Sequence, residues 1–214
     1  MSVPRTHLDE VFQALRQDLI HEDGPRISTM RNYRFAIVPY RPENEFKLRE
    51  HTARLVRDLE DADWIVRTLS LHKLLMRRLH GLGENILQRI AAMERQTHQR
   101  APERARNYLR QKIQPLIHGP EGIAADVVAE IQQIADQHPE RAERTLVLIG
   151  RAGALYPYFR YSALLKFLDG KTRQIPVILL YPGVRRSDSG LSFMGRLSAD
   201  RDYRPRIYGA ISNP

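Results

Sequence analysis

Three serines, Ser187, Ser189 and Ser192, gather around Asp188 in one short stretch. A serine and a carboxylate are parts of a nucleophilic mechanism. No G-x-S-x-G elbow surrounds them. With Gly190 among them, the stretch reads more simply as a flexible loop. The eight histidines are scattered and form no H-E-x-x-H. His72 and His80 lie two turns apart on a helical stretch, a gap too long for one metal ion, so both read as solvated. Gly150-Arg151-Ala152-Gly153 follows an apolar run, as a phosphate-binding loop would. Its spacing fits neither G-x-x-x-x-G-K-[ST] nor G-x-G-x-x-G, and its two glycines suit a tight turn. The chain has no cysteine, hence no thiol nucleophile, thiolate metal site or disulfide. These patterns predict a protein that is not an enzyme, with no catalytic residue, metal or cofactor.

Residues suited to binding are more concentrated. Leu155-Tyr156-Pro157-Tyr158-Phe159-Arg160 puts three aromatics and an arginine where a strand should turn into a helix. Pro157 fits a first helical turn, from which Arg160 would project. Aromatic and arginine side chains dominate protein-interface hot spots. The alternative is that the rings are core and Arg160 pairs with a nearby carboxylate. Net charge is +9 with a pI near 10.1. From Arg141 onward there are thirteen Lys or Arg against five Asp or Glu, so nearly all the excess sits in the C-terminal third. Such a balance attracts nucleic acid, phosphate or an acidic partner, or is a solvated arginine-rich surface. The stretch from Arg89 to Lys112, with seven basic and two acidic residues, reads as a solvated helical face or a helix laid along phosphates.

The elements that position these residues centre on Arg144 to Gly183. Thr145–Ile149 and Pro176–Tyr181 are unbroken apolar runs, as expected of strands buried on both faces. Between them Phe159, Ala163, Leu164, Phe167 and Leu168 recur at helical spacing, completing a βαβ unit. Upstream, Thr6 with Asp9 forms a capping box before the stripe Leu8, Val11, Phe12, Leu15 and Leu19. Phe35–Tyr40 is the first strand, followed by a helix from Pro42 with Leu48, Thr52, Leu55, Val56 and Leu59 inward. Trp64–Leu69 is the second strand. Residues 72–118 read as a helical insertion with three stripes, the second being Leu82, Ile86, Leu87, Ile90 and Met93. After Gly119–Gly122 another helix buries Ala124, Val127, Val128, Ile131 and Ile134, and a last strand lies around Arg206–Ala210.

The fold predicted for residues 1–214 is a single α/β domain. It is a three-layer sandwich with a mostly parallel sheet of about five strands and a helical insertion between strands two and three. Ligands of such sheets sit beyond the carboxyl ends of the strands, here the loops beginning at Tyr40, Leu71, Gly150, Pro182 and Gly209. No apolar run reaches a membrane span and no signal-peptide core precedes the first helix, which with the absence of cysteine predicts a cytoplasmic protein.

The segment from Gly150 to Arg160 resembles the G…(F/Y)-P-(F/Y)-x-R segment of the BrxB family, components of bacterial BREX phage-defence systems. Four further segments are similar in order and spacing: Phe35–Pro42, Pro176–Gly183, Leu191–Gly195 and Asp202-Tyr203-Arg204. Arg41 stands where the family carries an acidic residue. The resemblance implies a cytoplasmic component of a multi-protein antiviral machine, with a PglZ phosphatase-like protein, a BrxC ATPase and a PglX methyltransferase as neighbours. It implies no established catalytic activity. The combined expectation is a non-catalytic adaptor docking other BREX proteins through Tyr40, Arg151, Tyr156, Pro157, Arg160, Gly183, Tyr203 and Arg204. The alternatives are a DNA-binding subunit using the basic C-terminal third, with weak nonspecific DNA binding expected in any case, and a degenerate nucleotide-binding domain.

Overall fold

The computed structural model describes residues 6–22, 24–27, 34–187, 190–197 and 205–210. Its centre is a sheet of five parallel strands in the order β2 (Ile65–Ser70), β3 (Thr145–Gly150), β4 (Val177–Arg185), β1 (Phe35–Tyr40) and β6 (Arg206–Ile207). A sixth strand, β5 (Leu191–Phe193), pairs antiparallel with the end of β4. Every residue of β1 and β3 is buried, which is why both read as unbroken apolar runs.

Successive side chains of a strand point to opposite faces, and here each face has its own core. Phe35, Ile37, Val147, Ile149, Val177, Leu179 and Tyr181 pack under α3 (Leu71–His80), α5 (Pro102–Ile117), α6 (Ile123–Gln137) and α7 (Tyr161–Leu168). Ala36, Val38, Tyr40, Leu146, Leu148, Ile178 and Leu180 pack under α1 (His7–Leu19) and α2 (Glu45–Glu60). The result is a three-layer α/β sandwich. The Thr6–Asp9 capping box opens α1, and a short 3-10 turn, Pro42–Asn44, precedes α2.

The insertion is three helices, one for each stripe, broken around Gly83, which sits at φ 87°, and at Ala101. Arg78 anchors it. Its Nε and Nη2 donate to the two carboxylate oxygens of Asp126 at 2.5 and 2.8 Å, and Nη2 also donates to the carbonyls of Glu121 and Gly122. One planar fork thus ties the end of α3 to the start of α6. The stripe expected at Leu82 to Met93 is not core. The helix that carries all of it but Leu82, α4 (Glu84–Arg100), buries no residue, and Ile86 and Met93 are 48% and 49% exposed. It leans chiefly on α5, so its apolar side meets one helix instead of the sheet.

Three further expectations change near the carboxyl end of the sheet. Strand β4 does not stop at Pro182-Gly183 but continues to Arg185, where it turns back into β5. Ser192, expected in a flexible loop, is buried in β5, and its hydroxyl donates to the Leu197 carbonyl at 2.6 Å. Pro157 is not in a helical turn: α7 begins only at Tyr161, and the Tyr156–Pro157 peptide is cis. Accordingly Phe159 precedes the helix, and α7 buries Tyr161, Leu164, Leu165 and Leu168 while Ala163 is exposed. The last strand is shorter than Arg206–Ala210. Ser189, Tyr203 and Arg204 lie outside the described residues, as does Asp188.

Candidate functional site

The parallel register brings Tyr40 level with Pro182 and Ser70 level with Gly150, so the carboxyl ends of the strands form one edge. Helix α2 leaves β1 over one face and α7 leaves β3 over the other. Their loops part above the middle of the sheet, the position where open α/β sheets place ligands.

Glu45 is the hub of this edge. The buried ring of Tyr40 sends its hydroxyl to Glu45 Oε2 at 2.5 Å. Arg49, one turn along α2, donates to Glu45 Oε1 at 3.2 Å, and Arg151 reaches the same oxygen from the β3 loop at 3.1 Å. Arg151 makes this crossing from a left-handed backbone at φ 59°, a conformation rare outside glycine that is kept only where surrounding contacts hold it. Burial alone would raise the Glu45 carboxyl. The hydrogen bonds from Tyr40, Arg49 and Arg151 outweigh it and hold the group below its ordinary value. The Tyr40 hydroxyl is pushed far up, first by burial and then by its bond to Glu45. It therefore stays protonated and acts as a donor.

Next to this hub Phe46 is 74% exposed, with the Arg49 guanidinium 5.1 Å from its ring centre. Glu45, Arg151, Gly153, Ala154 and the exposed His72 line an open cleft of about 340 Å³. His72 and His80 both sit on exposed positions of α3. Among the described residues, no three His, Cys, Asp or Glu side chains gather in a metal-binding group.

The aromatic segment divides between the two roles weighed for it. Phe159 is core, edge-on to Tyr161 with ring centres 5.2 Å apart and tilted on His118. Tyr161 is fully buried against Tyr181 and Phe193, and its hydroxyl donates to the Ala152 carbonyl, which fixes the turn after Arg151. Tyr156 is half-buried on Phe193, and the Tyr158 carbonyl accepts from His118 Nε2 at 2.7 Å. Pro157 and Arg160 are exposed, and the Arg160 side chain makes no hydrogen bond or ion pair with the described residues. Gly183 is buried within the β4–β5 hairpin, opposite Phe193.

Of the residues singled out in the sequence, Tyr40 and Arg151 meet through Glu45, while Tyr156, Pro157 and Arg160 follow on the same β3 connection. Glu45, Phe46, Arg49 and His72 were not anticipated at this edge. Phe46 did leave a signal: it sits two residues before Leu48, on the far side of α2 from the buried Leu48, Leu55 and Leu59.

A model of the family described as BREX protein BrxB matches residues 67–207, more than half of the chain. The chain belongs to the BrxB family. The match runs from β2 through the helical insertion to β6, so the insertion is part of the family pattern, whereas β1, with its similar Phe35–Pro42 segment, precedes the matched region. Membership makes the protein a component of a BREX phage-defence system. No curated protein and no solved structure matches the chain. No described helix is long and apolar enough to cross a membrane.

Proposed function

We propose that this BrxB-family protein is a non-catalytic adaptor that docks another BREX protein, the PglZ phosphatase-like component first, through the carboxyl edge of its sheet. The observation that carries this reading is Phe46, a large apolar ring left 74% exposed beside Arg49, Arg151 and the Glu45 hub. Exposed aromatic rings with arginines held in place beside them are what interface anchors consist of. Arg160 and Pro157 extend the same character along the β3 connection.

The basic C-terminal third supports DNA binding less well. Arg141 pairs with Asp63, Arg173 with Asp136, Arg206 with Asp18 and Arg151 with Glu45, while Arg144 donates to the Ala62 carbonyl. These guanidinium groups are engaged with the rest of the fold rather than arrayed for phosphates. Co-expression with each neighbouring BREX protein, one at a time, tests the proposal. A complex that co-purifies and holds as salt is raised supports it. No complex with any of them, or steeply salt-dependent binding to DNA alone, refutes it.

A further inference from the structure

A second cleft opens beside the first turn of α2, on the other side from Arg151. Its volume is about 150 Å³, and it lies between the start of α1 and the ends of β1 and β4. His7, Arg41, Lys47 and Arg185 line it together with Asn44, and no aspartate or glutamate is among the described lining residues. Arg185 serves the fold beneath the cleft: its Nη1 donates to the carbonyls of Ile207 and Gly209, at 3.2 and 2.7 Å, and its Nε to that of Ser187 at 3.2 Å. Lys47 is exposed, and its ammonium has no partner among the described residues. Arg41 has only a loose contact with Glu43, at 3.8 Å and with both side chains more than 60% exposed. The nearby Asp9 is committed to Thr6, whose backbone N–H and hydroxyl both reach its Oδ2 at 2.7 Å.

Arg41 and Lys47 share this small concavity with no close carboxylate partner among the described residues, and charges of one sign there focus the field inside it. The space suits a single anionic head group and would enclose only the phosphate of a larger ester, since pockets that bury a drug-sized ligand run to about 300–1,000 Å³. An arginine fork, here that of Arg41, and a lysine point charge together are a usual means of holding phosphate oxygens. We infer that this cleft binds a phosphoryl group, presented either as free phosphate or as a phosphate monoester. The cleft shares Tyr40 with the Glu45 hub, but the inference stands on Arg41 and Lys47 and does not depend on the docking reading.

The test uses the isolated full chain at low ionic strength, titrated with inorganic phosphate and followed by amide NMR. Phosphoserine and adenosine monophosphate form parallel arms that separate the sources. Sodium chloride at matched ionic strength and acetate are the controls. The expected result is saturable binding with the largest shifts at Arg41, Lys47 and Gly183 to Arg185. Lys47→Gln and Arg41→Gln should each weaken it about tenfold. Both side chains are exposed, so both variants should melt with the wild type. Tighter binding of either ester than of inorganic phosphate names the source. Shifts that chloride or acetate reproduces, no saturation at millimolar phosphate, or equal binding by both variants overturns the inference.

Discussion

Two glycines of the carboxyl edge, Gly153 and Gly183, should respond in opposite ways to the same substitution. A Cβ on Gly183 would stand 2.3 Å from the Ser192 carbonyl oxygen and 2.5 Å from Cε1 of the Tyr181 ring. Heavy atoms in packed interiors keep about 3.5–4.0 Å. Neither neighbour yields easily, because one is backbone of the paired strand β5 and the other is a 1%-exposed ring wedged against Tyr161 and Phe193. The hairpin must therefore move. Overpacking of this kind costs about 1–3 kcal/mol. If β5 lifts off altogether, Leu191 and Phe193 become exposed at about 1.5–3 kcal/mol each, which sets the upper limit near 6 kcal/mol. We expect Gly183→Ala to cost about 3 kcal/mol, a fall in Tm of about 6–12 °C for a chain of this length. On Gly153 a Cβ meets Pro182 Cγ at 3.8 Å and Met194 Sδ at 3.9 Å, ordinary contact. Gly153→Ala should be within about 0.5 kcal/mol of neutral or slightly stabilising. Thermal melts of the two variants beside the wild type check this. Equal melting of all three would refute the reasoning about the hairpin.

Two other outcomes follow from the ion pairs. Arg78→Leu should lower stability by about 2–4 kcal/mol, since it strands the part-buried Asp126 carboxylate and two carbonyls at once, and Arg78→Lys should recover only part of that loss in urea melts. Glu45 has its folded pKa below the unfolded value, so its contribution is present above the unfolded carboxylate range and disappears as pH falls through the folded pKa. The stability gap between wild type and Glu45→Gln should therefore be widest near neutral pH and narrow through the acid range, and a gap independent of pH would contradict the assigned hydrogen bonds.

Much of the fold is legible because a strand buried on both faces has to be apolar at every position. Phe35–Tyr40 and Thr145–Ile149 announce themselves for that reason. The order β2-β3-β4-β1-β6 is not legible, because pairing partners far apart in the chain leave no local trace. Pro182-Gly183 looked like a strand end because proline and glycine usually interrupt pairing. Here the Pro182 carbonyl accepts from the Met194 amide, and Gly183 supplies the close approach that β5 requires. The α4 stripe shows a different limit. Helical spacing reveals which side of a helix is apolar but not whether a sheet or a single helix covers it. At the candidate site Tyr40 and Arg151 were visible as residue types, while Glu45, which joins them, looked like one more surface carboxylate at the start of a helix.

The docking claim is tested most directly by the affinity of the PglZ phosphatase-like protein, the proposed partner, for wild type, Phe46→Ala and Arg160→Ala, measured by calorimetry on samples shown to melt alike. Phe46 packs against no core, and Arg160 has no partner among the described residues, so folding should be untouched in both. If the carboxyl edge is the interface, each substitution removes a hot-spot contact and weakens binding by about 2 kcal/mol, roughly 30-fold. Binding by both variants with wild-type affinity would contradict the account and move the interface to another face of the molecule.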